Sequence, residues 1–231
     1  MELIALVIAQ FYGLLRPRYP WGALPVWLVA VALGLVAVLV AHHAHAAAIP
    51  PQTATPWERT VIREGRAVWG LPSPSALFGA QIQQESSWRP AAHSPYAGGL
   101  AQFTADTAQD MARWYPELGP ADPYNPHWAI RALVRYDHRL YTGIARTASD
   151  CDRWAMTLSA YNGGAGWVSR DRKFCAAAGD CNVSRWWHDV ARYSQRAAAA
   201  KAENRAYPEH ILHRWHPPYL AAGWGGPEVC A

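Results

Sequence analysis

The chain has 231 residues, which leaves room for one domain and an appendage but not for two full domains. Its 21 Lys and Arg against 17 Asp and Glu give a formal net charge of +4, with the basic residues scattered along the chain. So mild an excess, without a clustered basic stripe, excludes a nucleic-acid footprint and suits weak attraction to an anionic polymer.

The N-terminus is the most apolar part. Residues 3–15 form an apolar stretch too short to span a bilayer comfortably; they suit the interface, or a hairpin turning at Arg16-Pro17-Arg18. Leu24 to Ala41 carries no charge, and eighteen apolar residues make a helix of roughly 27 Å, close to the ~30 Å hydrocarbon core. Arg16 and Arg18 precede this segment and no Lys or Arg follows until Arg59. The positive-inside rule therefore predicts a cytoplasmic or interfacial segment 1–23, a transmembrane helix 24–41 and an exported C-terminal part. Trp21 and Trp27 suit interface anchors. The competing reading is a cleaved signal peptide, with Ala44-His45-Ala46 and Ala46-Ala47-Ala48 as small-x-small sites and a secreted product. The length and hydrophobicity of the run favour a retained anchor. His42, His43 and His45 lie in a linker, 42–56, and read as solvated juxtamembrane residues rather than a metal cluster.

Residues 57–231 carry helix punctuation almost throughout. Thr55-Pro56 opens a helix over Trp57 to Trp69, stopped by Gly70. Ser73-Pro74 opens a second over Ser75 to about Ser86, with Ser73 as N-cap. Thr104 caps Ala105 to Trp114, and Asn125-Pro126 opens a long helix through Arg146. Ser149 opens another that ends at Gly163-Gly164; Ser184 to Arg196 and Glu203 to Trp215 are two further candidates. Strand-like alternation is scarce, so the fold class is mainly α, one domain over 57–231. Cys151, Cys175, Cys181 and Cys230 form no Cys-x-x-Cys pair and no zinc-like spacing, which argues against a metal site. Behind an export segment they point to two disulfides. Cys175 and Cys181 are close enough to pair with each other, but all three connectivities remain open.

One carboxylate stands out. Glu85 falls in the last turn of the Ser73-capped helix, where the helix dipole disfavours its charge. Burial near Trp88 and Phe103 would act the same way, lifting its pKa from ~4.3 toward the range a proton donor needs. Downstream come the glycine pair Gly98-Gly99 and then Ala160-Tyr161-Asn162-Gly163-Gly164.

Together these blocks resemble the signature of the soluble-lytic-transglycosylase family, lysozyme-like enzymes that cleave peptidoglycan. The family pattern runs Glu-Ser-x-aromatic-x-Pro-x-Ala-x-Ser, then Gly-Leu-Met-Gln, then Ala-Tyr-Asn-x-Gly. Glu85, Ser86, Trp88, Pro90, Ala92 and Ser94 match the first block in register. Gly99, Leu100 and Gln102 match the second, and Ala160, Tyr161, Asn162 and Gly164 the third. The chain departs from the pattern at Ala101, where the family has Met, and in a glycine turn one residue short. Loss of the Met is expected to remove a flexible apolar contact from the cleft.

The resemblance implies a lysozyme-like helical domain acting on peptidoglycan glycan strands, with no cofactor or metal. It implies Glu85 as catalytic acid and then base, with Ser86, Gln102, Tyr161 and Asn162 around the sugar. Phe103 and Trp88 are further candidates for stacking on sugar rings. The muramyl 6-hydroxyl attacks C1, giving a 1,6-anhydro product without a second carboxylate to activate water, unlike most glycosidases. A lysozyme-type hydrolase is the nearest alternative and needs a second acid, for which Asp106 and Asp110 are the nearest candidates. A non-catalytic wall-binding membrane or virion protein is the other alternative. A tethered wall-cutting enzyme suits phage entry or lysis, or a secretion apparatus, as partners.

Overall fold

The computed structural model describes residues 49–230. The expected membrane segment 24–41 and the three linker histidines lie outside them. Among the described residues no helix is long and apolar enough to cross a membrane.

Folded structure begins inside the stretch read as linker, with a 3-10 helix, Gln52–Trp57, whose Ala54 is fully buried. Helix α1 (Glu58–Trp69) buries Thr60, Val61 and Gly65 on one face and stops at Gly70, whose φ of 77° suits glycine. Helix α2 (Ser75–Ser86) is different: every residue from Ser75 through Gln83 is buried. A helix without a solvent face belongs at the centre of a domain. The two-residue strands β1 (Ala97–Gly98) and β2 (Phe103–Thr104) pair antiparallel. Helices α3 (Ala105–Trp114), α4 (Pro126–Gly143) and α5 (Asp150–Gly163) follow.

Three of the expected caps form. Thr104 Oγ1 accepts from Thr107 N at 3.1 Å, Asn125 Oδ1 from His127 N at 3.0 Å, and Ser149 Oγ from Asp152 N at 3.0 Å. Ser73 does not cap α2. Its hydroxyl pairs with Ser75 Oγ at 3.0 Å in the core, while the C-terminal tail's Gly225 carbonyl takes the Ala76 N–H at 2.9 Å. A distant backbone acceptor satisfies the helix start that a local hydroxyl was expected to satisfy. Helix α4 ends at Gly143, not Arg146, because Ile144 turns extended and packs inward.

The expected helix over 184–196 is not formed; only a 3-10 turn, Val190–Arg192, is present there. Asp152 Oδ1 accepts from Trp186 N at 2.7 Å and Asp189 Oδ1 from Asn182 N at 2.9 Å. Side-chain acceptors thus hold backbone donors on either side of that segment's start. A helix not anticipated, α6 (Ala165–Ala178), starts at Gly164, whose φ of 93° both ends α5 and opens α6. Helix α7 (Ala198–Glu209) begins earlier than the predicted Glu203. It runs on through a π-helical turn (His210–Trp215) into α8 (His216–Ala221). Pro208, Pro217 and Pro218 lack the N–H donors that a regular ladder needs, consistent with the irregular winding here.

Aromatic residues fill the core. Trp69 packs against Phe78, Tyr141 and Trp154, with ring centroids 5.2 to 5.7 Å apart. Trp88, Tyr219 and Trp224 form a second group, and Trp88 Nε1 donates to Tyr219 Oη at 2.5 Å. Gly79 lets α8 lie directly on α2: a Cβ there would stand 2.6 Å from the Tyr219 ring.

The disulfides are Cys151–Cys230 and Cys175–Cys181. His213 lies beside the first, whose bonded sulfurs offer no thiolate to a metal. The first closes a loop of sequence separation 79, the second one of 6. Chain-entropy loss predicts that Cys151→Ser with Cys230→Ser costs about 4 kcal/mol and the short pair about 2 kcal/mol. Urea unfolding of the two double variants under identical conditions measures the difference; equal losses would contradict it.

Candidate active site

Glu85 sits one residue from the end of α2. Immediately after it Ser87 (φ 51°) and Trp88 (φ 62°) both take left-handed backbone, and Ser87 N–H closes on Gln83 O at 3.1 Å. The chain therefore leaves the helix axis at once, and Glu85 lines a cleft of about 590 Å³. Gln102 and Phe103 from the β hairpin line the same cleft, as do Tyr161 and Asn162 from the end of α5. Four of the five residues predicted to surround Glu85 are thus brought to it.

Ser86 is the exception. It is 2% exposed and its hydroxyl donates back to Ile82 O at 3.3 Å, so it stabilises the helix end and does not line the cleft. Helical geometry turns it about 100° from Glu85, toward the core. Trp88 is likewise no sugar platform: it is 1% exposed and tied to Tyr219. Phe103 lies deeper than expected, 3% exposed, and packs on Trp128, Tyr136 and Tyr161 as the cleft's base. Asp106 and Asp110 line a separate surface depression, away from Glu85.

The loop before β2 is built by backbone constraints. Gly99 has a φ of 78°, and a Cβ there would fall 1.7 Å from Pro123 O. Gln102, at φ 46°, takes left-handed backbone without being glycine. Its amide compensates, with Nε2 donating to Ala92 O at 3.1 Å and Gly99 O at 2.9 Å. Ala101 is fully buried and its methyl does not line the cleft. What this position supplies is its carbonyl, which accepts from Tyr161 Oη at 2.8 Å. Asn162 Oδ1 accepts from Asn204 Nδ2 at 2.8 Å, and Asn204, itself buried, also donates to Ser159 O at 2.9 Å. Both motif side chains of α5 are therefore held by polar contacts before any ligand arrives.

Helix α7 supplies partners that local pattern did not reveal. Tyr207 donates its hydroxyl to Glu85 Oε1 across 122 residues of sequence, and Glu203, one turn earlier, lines the same cleft. Their i, i+4 spacing lay inside a predicted helix, but nothing local distinguished that pair from a surface one. Burial pushes the Glu85 carboxyl up to about 8. The Tyr207 hydrogen bond works against that rise, and the Glu203 charge adds to it. Although Glu85 keeps a partial opening to the cleft, surrounding protein strips its solvation. Tyr161 and Tyr207 are both driven well above the usual phenol range, by burial first and the Glu85 charge second. They remain neutral donors. The arrangement is one carboxyl, protonated at neutral pH, gripped by a neutral phenol and open to the cleft.

Known proteins resemble this chain in sequence and in fold. Residues 66–182 match the family model described as the transglycosylase SLT domain. Membrane-bound lytic murein transglycosylase F of Vibrio parahaemolyticus is 31% identical over 116 residues, covering 49% of this chain and 20% of that protein. The protein of the same name from Alcanivorax borkumensis is 32% identical over 132 residues, covering 57% and 27%. The chain thus spans only a fifth to a quarter or so of the length of these relatives. The crystal structure of the 70 kDa soluble lytic transglycosylase SLT70 of Escherichia coli superimposes with a TM-score of 0.51 at 22% identity. That match covers 73% of this chain and 25% of SLT70. A complex of the 70 kDa soluble lytic transglycosylase with bulgecin A gives 0.55 at 21% identity, covering 75% and 25%. The structural likeness shows a shared fold, and the matched half of the sequence, containing Glu85, Gln102, Tyr161 and Asn162, shows that the chain belongs to the transglycosylase SLT domain family.

Proposed function

We propose that the chain is a peptidoglycan lytic transglycosylase that cleaves the β-1,4 bond between N-acetylmuramic acid and N-acetylglucosamine. The observation that carries this reading is Glu85, protonated at neutral pH and lining the cleft together with Tyr161, Asn162 and Tyr207. Glu85 gives its proton to the glycosidic oxygen as the C1–O bond breaks, leaving a carboxylate that Tyr207 steadies through its hydroxyl. The carboxylate then takes the proton of the muramyl 6-hydroxyl as that oxygen closes on C1, giving the 1,6-anhydro end. Glu85 finishes protonated, ready for the next cycle. Tyr161 and Asn162, already fixed by Ala101 and Asn204, orient the sugar.

One observation favours a second reading, hydrolysis: Glu203 is a second carboxylate in the cleft and is exposed, as an activator of water would need to be. Mass spectrometry of digested peptidoglycan separates the two. Anhydro-muramyl ends without added water are expected; reducing ends bearing the mass of water would establish the hydrolase.

The working location we propose is the outer side of the cytoplasmic membrane. Residues 24–41 act as an anchor there, or are removed by cleavage. Its role is local wall opening in phage entry or lysis or in a secretion apparatus. The charge asymmetry around residues 24–41 supports the location. Sequencing the mature N-terminus from a membrane fraction decides between anchor and cleavage.

A further inference from the structure

Asp137 on α4 is fully buried, and no salt bridge among the described residues reaches it. The one side-chain hydrogen bond it makes among the described residues is from Gln81 Nε2, also fully buried, to Oδ1 at 3.4 Å. Two atoms of this same pair lack partners, Asp137 Oδ2 and Gln81 Oε1. Both are acceptors when the carboxyl is ionised, and a carboxylate facing an amide can satisfy only one of its two contacts. A proton on Asp137 supplies the missing donor. An isolated buried charge also costs far more than a neutral acid in the same place.

We infer that Asp137 is held as the neutral acid in a two-point pair with Gln81, Oδ2 donating to Oε1 while Nε2 donates to Oδ1. The pair is a positioning device for Glu85. Gln81 and Glu85 are four residues apart on α2 and so share one face on successive turns. Joining Gln81 to α4 anchors the last turn of α2, on which the carboxyl rides. Neutrality has a second use. Asp137 feels the Glu85 charge from α2, and an Asp137 charge would be felt by Tyr161 from α5 and by Tyr207 from α7. Its chain neighbour is Tyr136. None of these is a cation, and the Glu203 charge already acts on Glu85, so an ionised Asp137 would oppose still further the carboxylate that the base half of the reaction requires. Burial drives the Asp137 carboxyl well above the usual range, and the Glu85 charge adds to that, against the Gln81 hydrogen bond.

The positioning role rests on the proposed reaction; the protonated pair does not. Asp137→Asn keeps both hydrogen bonds without needing a proton, whereas Asp137→Ala removes them. Asp137→Ala is expected to lose about tenfold or more in kcat with little change in KM, because a loosened carboxyl misses its target. Asp137→Asn is expected to rescue most of that loss and to keep the alkaline limb of the pH profile in place. Equal activity in the two variants overturns the positioning role. An alkaline limb lowered by about one pH unit in Asp137→Asn overturns the neutral acid, since it means a negative charge was removed. Should Asp137→Ala not fold, infrared difference spectra still decide the pair. They compare Glu85→Gln with Glu85→Gln/Asp137→Asn at neutral pH, so that Glu85 contributes no band. The C=O stretch of a buried protonated acid is expected in the first and not the second, and its absence from the first overturns the inference. An inactive parent overturns the proposed reaction and the positioning role with it, leaving the band to report on the pair alone.

Discussion

Glu85→Gln removes at least about a thousandfold of peptidoglycan-cleaving activity, because one group supplies both proton transfers and each contributes ~10²–10⁴. The loss is not a loss of fold. The amide keeps an acceptor for the Tyr207 hydroxyl and deletes only the group whose ionisation the cleft opposes. Stability should therefore move the other way from activity. The folded carboxyl titrates at about 8 against 4.5 for the unfolded chain. Below pH 4.5 it is protonated in both states and imposes no difference. Between 4.5 and 8 the unfolded chain ionises first, so the parent loses stability as pH rises, by the order of a few kcal/mol in all. Glu85→Gln escapes that loss, and thermal unfolding at pH 5 and pH 8 should show the variant gaining on the parent at the higher pH. Activity of the parent should fall above about pH 8, as the proton donor is lost. Wall clearance by Glu85→Gln at the parent's rate would sink the assignment of catalysis to Glu85.

Tyr207→Phe tests the other half of the site. The phenol donates to Glu85 Oε1 and is the interaction that favours the carboxylate. A hydrogen bond to a charged group is worth about 1.5–3 kcal/mol, so its loss should cost roughly tenfold to a hundredfold in kcat. Without that donor the carboxyl is harder to ionise, and the alkaline limb should shift upward by about one pH unit or more. The direction is the informative part. A purely structural effect would lower the rate without moving the limb, and an unmoved limb would show that Tyr207 does not act on Glu85.

Much of the site is legible in the amino-acid sequence. Thr104, Asn125 and Ser149 cap their helices through contacts two or three residues away, which is why local pattern locates those helices. The motif blocks at Glu85, Gln102, Tyr161 and Asn162 likewise point to four residues that share one cleft. Where a local signal fails, something remote has displaced it. Ser73 yields the start of α2 to the carbonyl of Gly225, and Asp152 holds the Trp186 N–H near the start of the expected helix over 184–196. Ser86 matches its motif position yet faces the core, because a motif records residue order and not which side of the helix meets the cleft.

The sequence by itself determined a mainly helical chain, a family and one carboxylate to watch, since periodicity, caps and short motifs are properties of neighbouring residues. Only the tertiary structure decided how that carboxylate is tuned. Its burial comes from packing around α2, its proton-donating partner is Tyr207, 122 residues away, and the Asp137–Gln81 pair crosses between two helices. Desolvation and long-range hydrogen bonds depend on distances that no stretch of sequence encodes, and these set what Glu85 can do.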